Sequence, residues 1–231
     1  MYNLIYLKES LTRAKGERKE YNMGDSIEIY IKDRIDSDNI DVENVMSKIS
    51  TSVPSHLLSE VDTIYIGLFA EFEEMKTNAM YKDGAIYVTN EQSSEQDLID
   101  DIVHEIAHSL ESPYGDIIYA DGELEREFLQ KRKRLYEILK EEGEHPDSSL
   151  FLNPDYTKEL DLYLYEEIGY DRLNLISATY SLFTSAYSAT ALREYFANGF
   201  EYYFLDDRAY LQEICPILFR KIEEINENDI R

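Results

Sequence analysis

Apolar and polar positions follow a strand-like pattern in the N-terminal part of the chain and a helical period afterwards. Ile27–Ile31 (IEIYI) and Val61–Leu68 (VDTIYIGL) read as strands. Met80-Tyr81-Lys82 and Ala85–Thr89 flank Asp83-Gly84. Two β-rich runs joined by Asp-Gly are the pattern of a tight hairpin. From Glu95 the apolar residues Ile99, Ile102, Val103, Ile106 and Leu110 recur at the spacing of one helix face. Ser94 with Asp97, or Ser93 with Gln96, supplies a capping-box-like start. Pro113-Tyr114-Gly115 supplies the expected stop. The predicted helix covers about Glu95 to Glu111.

The second half reads as helical. Predicted helices run from Glu123 to Glu142, ended by Gly143, and from Asp155 to Ile168, ended by Gly169. Others span Asp171 to about Phe183, Ala191 to about Leu205, and Arg208 to Glu227, with Pro216 starting a new helix inside the last. Strands followed by a run of helices give an α+β fold, a small mixed sheet with a mainly helical C-terminal part. The 231 residues contain no Pro/Gly/Ser-rich linker and no repeat. They are read as one domain with two parts, 1–112 and 113–231.

Composition narrows the function classes. The formal net charge is −25, which disfavours nucleic-acid backbones and anionic membrane surfaces as partners. It attracts basic peptides, although solubility is the simpler explanation. The single cysteine, Cys215, excludes an intrachain disulfide. MYNLIYLKES lacks a basic flank followed by a long apolar core, so no signal peptide is expected. No apolar run is long enough to cross a bilayer. The expected location is the cytoplasm, or a destination reached by a non-classical route.

The chemistry is concentrated in His104-Glu105-Ile106-Ala107-His108, an HExxH motif in a chain with four histidines. On a helix, His104 and His108 lie about 40° apart around the axis and one turn apart along it, so both imidazoles can reach one Zn²⁺. Glu105 flanks that face, where a general base for an activated water belongs. On a helical wheel the apolar residues fall opposite the histidines, which argues against two ordinary core histidines. Asp97 and Asp101 fall on the histidine side. Asp101 is a candidate to orient a ligand imidazole, though acids near a helix N-terminus also suit its dipole. Ala85, Ile86, Tyr87 and Val88 are candidates to hold a substrate backbone by strand addition.

A catalytic zinc needs a third protein ligand. His56 and His145 sit in turn or loop contexts, so the third ligand is expected to be one of the 48 acids. Glu194 lies on a helix face with Ala191, Ala197, Asn198 and Glu201, opposite Leu192, Phe196, Phe200 and Tyr203. Glu111, Asp116, Asp121 and Glu123, just after the motif, are alternatives.

The stretch from Tyr187 to Phe204, YSATALREYFANGFEYYF, resembles the second zinc-site motif of the anthrax lethal factor-like metallopeptidases. That family includes the secreted clostridial Pro-Pro endopeptidases. Cys215-Pro216 before an aromatic-containing helix is also similar to that group. The resemblance covers about residues 80–112 and 185–225. It implies a zincin-like fold with one zinc held by His104, His108 and Glu194 in a cleft between the two parts. It also implies Glu105 as general base, Tyr187 as a hydrogen-bond donor to the oxyanion, and a peptide or protein as substrate. The chain departs from the family in two places. Asn198 stands where members carry a second Glu that supports the ligands. The 85 residues between His108 and Glu194 are also more than the family leads one to expect, and Glu123–Glu142 has the look of an insertion. The alternative expectation is a non-catalytic binding or virion-associated structural protein that keeps a zincin fold.

Overall fold

The computed structural model describes residues 19–23, 27–35, 39–70, 72 and 77–228. The N-terminal signal-peptide expectation falls outside these residues. The chain divides into two compact units, Met1–Ser109 and Leu110–Arg231.

The first unit is built on a five-stranded mixed sheet. Its strands are β1 (Lys19–Met23), β2 (Ile27–Ile31), β3 (Thr63–Gly67), β4 (Ala79–Lys82) and β5 (Ala85–Thr89), in the order β1-β2-β3-β5-β4. β2, β3 and β5 run parallel, with Ile29 opposite Ile64 and Ile64 opposite Ile86. β1 and β4 are antiparallel edge strands. Between β4 and β5, Asp83 and Gly84 have φ of 50° and 82°, the left-handed pair that a two-residue hairpin requires. The φ of 82° favours glycine at position 84, where a Cβ would also push the Asp62 carboxylate aside, 2.8 Å away.

Alternation along the strands separates two faces. Ile29, Ile64, Ile66, Ile86 and Val88 are fully buried. The opposite face carries Tyr30, Tyr65 and Tyr87 as a cross-strand stack, with ring centroids 5.4 and 5.3 Å apart. Among the described residues, two long helices pack into the buried interior of this unit. Helix α1 (Val42–Ser52) starts on Asp41, whose carboxylate accepts from the N–H groups of Glu43 and Asn44. It buries Val42, Val45, Met46 and Ile49. Helix α2 begins at Glu95 after Ser94, whose hydroxyl accepts from Asp97 N at 3.1 Å. Its buried face is Leu98, Ile99, Ile102, Val103 and Ile106.

Helix α2 does not stop before Pro113; it continues to Ile118. A proline inside a helix costs about 3 kcal/mol through the lost N–H and the steric clash. Beyond it, Tyr114 and Ile118 are buried, and the Tyr114 hydroxyl donates to Asn228 O at 3.2 Å. Burying two large apolar side chains contributes about 1.5–3 kcal/mol each, enough to offset the proline. The unit boundary at Ser109/Leu110 falls inside this helix, three residues before the division expected from sequence.

The second unit is helical. Helix α3 (Glu123–Glu141) lies at its core, although its composition is strongly charged. Leu124, Phe128, Leu135 and Leu139 are fully buried, and so is Arg132. The Arg132 guanidinium donates to Asn153 O and Leu150 O and lies 5.1 Å from the Phe128 ring centroid. Burial pulls its pKa down to about 10. Lys131 Nζ donates to Leu182 O and Ile214 O at 2.7 and 2.6 Å. The segment with the look of an insertion is therefore built into the core of this unit.

The remaining helices are α4 (Lys158–Leu162), continued by a π-helical turn (Tyr163–Ile168), and α5 (Tyr170–Tyr180). They are followed by α6 (Leu192–Leu205), α7 (Arg208–Ile214) and α8 (Pro216–Glu227). Gly169, at φ 84°, makes the break before α5. Among the described residues no helix is long and apolar enough to cross a membrane.

Candidate metal centre

Two helices supply the site. On α2, Ile102, Val103 and Ile106 fix the apolar face, leaving His104 and His108 half-buried on the other side. Their ring centroids are 4.9 Å apart. Glu194 lies in the first turn of α6, also half-buried. That helix has no side-chain cap, and its Leu192 N–H donates instead to Pro154 O at 2.8 Å. An acid in the first turn suits the positive end of the helix dipole.

His104, His108 and Glu194 each offer one ligand atom, and these atoms all lie within 4.8 Å of one another, close enough to hold a metal ion. Two imidazoles and a carboxylate form a donor set that catalytic zinc takes. With bonds of about 2.0–2.1 Å, tetrahedral donors stand about 3.4 Å apart, which the 4.8 Å bound admits. Asp116 has no place in this group, and the other alternative acids are engaged in ion pairs. Glu111 accepts from Arg193, Asp121 from Lys221, and Glu123 from Arg220.

Glu105 follows His104 but is more enclosed, at 8 % exposed. Its Oε2 accepts from the main-chain N–H of Tyr81, on β4, at 2.6 Å. Asp101 accepts from the side-chain amide of Gln92 at 2.9 Å. His145 is exposed, as a loop residue should be. His56 is half-buried, with its Nε2 enclosed and without a hydrogen-bond partner.

The strand assigned to substrate binding needs correction. Ala85, Ile86, Tyr87 and Val88 belong to β5, which pairs with β3 on one side and β4 on the other. Strand addition needs an open edge, and β5 has none. The edge strand beside it is β4.

Tyr187 opens a short 3₁₀ turn, Tyr187–Ala189, in the second unit. It is 37 % exposed overall. Burial of its hydroxyl and the nearby carboxylates of Glu194 and Asp161 push its pKa up, so it stays a proton donor. Asp161 is held by two further tyrosines, accepting from Tyr156 at 2.8 Å and Tyr170 at 3.0 Å. Burial and that bond push Tyr156 up to about 12.

Asn198 joins Glu194 to this turn. Its Nδ2 donates to the main-chain oxygen of Glu194 at 2.9 Å, and its Oδ1 accepts from the Ser185 hydroxyl at 2.6 Å. Ser185 in turn accepts from Ser188 N at 3.2 Å. The Asn198 side chain therefore braces the backbone on either side of Tyr187.

No family model, curated protein or solved structure matches the chain. Sequence reasoning missed Tyr81, because a main-chain donor leaves no mark in a motif. It also missed Asp161 with Tyr156 and Tyr170, and Ser185. With twenty tyrosines in the chain, nothing singled these out.

Proposed function

We propose that the chain is a zinc-dependent endopeptidase with a zincin-like fold. The observation that carries the reading is the HExxH pair His104/His108 together with Glu194 as a third donor in one metal-capable group. Zinc held there would supply Lewis acidity, polarising the scissile carbonyl and acidifying a water. Glu105 takes the proton of the attacking water and passes it to the leaving nitrogen. Tyr187 donates to the oxygen on which negative charge develops. An extended peptide adds along β4, the edge strand, and the acidic chain favours basic peptides. The resemblance to the lethal factor-like peptidases agrees with this assignment of roles.

The test is cleavage of a peptide library by the wild type and by Glu105→Gln. The variant is expected to keep its metal and lose about 10²–10⁴-fold in kcat, the usual worth of a general base. Full activity in Glu105→Gln contradicts the assignment. Metal binding without cleavage by the wild type favours the non-catalytic alternative.

A further inference from the structure

The two-residue turn fixes which main-chain groups of β4 face outward. Lys82 and Ala85 close the hairpin as a hydrogen-bonded pair, so Met80 and Asn78 also bond towards β5. The bond from Thr89 N to Asn78 O, 2.8 Å, keeps this phase. The N–H and C=O of Ala79 and Tyr81 therefore point away from β5, onto the outer edge. Two of those four groups are engaged within the first unit. The Thr77 hydroxyl donates to Ala79 O at 2.9 Å. Tyr81 N donates to Glu105 Oε2 at 2.6 Å. An outward edge amide normally goes to water or to an added strand. Here it meets a carboxylate that is 8 % exposed, and a carboxylate so enclosed needs a donor.

We propose that the main-chain N–H of Tyr81 is the positioning group of Glu105, resting on the reading of Glu105 as general base. The hydrogen bond fixes the carboxylate plane against the edge strand. An added peptide then pairs with β4 without using the Tyr81 N–H; the Ala79 N–H and the Tyr81 carbonyl are the groups left to hold it. The sheet edge thus sets both the aim of the base and the register of the substrate.

Proline is tolerated at an edge position whose N–H faces outward. Tyr81→Pro therefore removes the donor and leaves the β4–β5 ladder in place. Tyr81→Ala and Tyr81→Phe keep the N–H. Both also lose the Tyr81 hydroxyl's 3.1 Å bond to Glu60 O, so that loss is shared by all three variants. Tyr81→Pro is expected to lower kcat roughly 10–100-fold, as small misplacements of a reacting group do. KM and zinc affinity should stay within about twofold, and the Ala and Phe variants, which keep the N–H, should lose several-fold less kcat than Tyr81→Pro. A loss in Tyr81→Ala equal to that in Tyr81→Pro overturns the proposal, as does a fully active Tyr81→Pro.

A second measurement does not depend on activity or on the folding of the proline variant. In protein labelled with ¹⁵N-tyrosine, the Tyr81 amide is assigned by its disappearance in Tyr81→Phe. Its proton should lie downfield in the wild type, move upfield in Glu105→Ala, and exchange faster there. An amide signal unchanged by Glu105→Ala overturns the proposal even if the protein is a peptidase. A wild type that cleaves nothing, with the shift observed, overturns the peptidase reading and leaves the Tyr81–Glu105 contact standing.

Discussion

Glu127 offers the sharpest test of how the helical unit is held together. Helix α8 starts with Pro216, which lacks an N–H, and Cys215 before it offers no side-chain cap. The next two amides are orphan donors. Both go to one carboxylate on α3: Ile217 N to Glu127 Oε2 at 2.9 Å and Leu218 N to Oε1 at 3.0 Å. The same Oε1 accepts from the Tyr195 hydroxyl at 2.8 Å, and Tyr195 is fully buried. Glu127→Ala removes a helix cap, worth about 1 kcal/mol. It also takes the carboxylate acceptor away from the buried Tyr195 hydroxyl, at about 1–3 kcal/mol. A loss of about 3 kcal/mol is expected in urea unfolding of the helical unit followed at 222 nm. Glu127→Gln should cost about 2 kcal/mol, because its amide group can accept at only one oxygen. Tyr195→Phe alone should cost about 1 kcal/mol, with a coupling to Glu127→Ala above roughly 0.5 kcal/mol. Hydrogen exchange at Ile217 and Leu218 should accelerate in Glu127→Ala before the rest of the unit opens. A Glu127→Ala variant within about 0.5 kcal/mol of wild type would refute the reasoning, since that is the scatter of neutral surface changes.

Asn198→Asp loses the donor to Glu194 O and places a charge in a 9 % exposed position. It should lower urea stability by about 2 kcal/mol, and unchanged stability would contradict the bracing role. Gly199→Ala gains about 1 kcal/mol of helix propensity. Its Cβ, however, would lie within 2.3 Å of the Leu218 side chain, and overpacking of this kind costs about 1–3 kcal/mol. The net effect should be destabilising, with partial rescue by Leu218→Val in a thermal melt. Glu95, Asp121 and Asp147 have lowered pKa values, owed first to Lys48, Lys221 and the Ser149 N–H respectively. Their contribution is full above the ordinary carboxylate pKa near about 4 and is lost as pH falls through their lowered folded values. Lys221→Met should flatten that acid limb in an unfolding-versus-pH series.

The parts of the fold that were legible in the sequence were those set by local rules. Asp83-Gly84 marked the hairpin because few residues accept two left-handed positions in a row. Ile99, Ile102, Val103 and Ile106 marked the buried face of α2 and so put the histidines opposite. Helix α1 carries a local signal too, since Asp41 caps an apolar pattern of Val42, Val45, Met46 and Ile49. β1 carried no such pattern (KEYNM), and its pairing comes from the tertiary fold. Pro113 misled because the burial of Tyr114 and Ile118 that offsets it is tertiary. The role of β5 misled for a related reason. Edge or interior is a property of the assembled sheet, and a strand's own sequence does not reveal it when both neighbours are unknown. The charged α3 helix hid its core role because Arg132, Lys131 and Glu127 bond mainly to backbone atoms of distant segments.

The central claim is that His104, His108 and Glu194 hold one catalytic metal ion. Metal analysis after equilibrium dialysis against zinc tests it most directly, on the wild type, His108→Ala and Glu194→Ala. The account predicts one tightly held zinc per chain in the wild type, lost in both variants while their helical signal is kept. A wild type that retains no zinc, or a Glu194→Ala variant that binds it as tightly as the wild type, would contradict the claim.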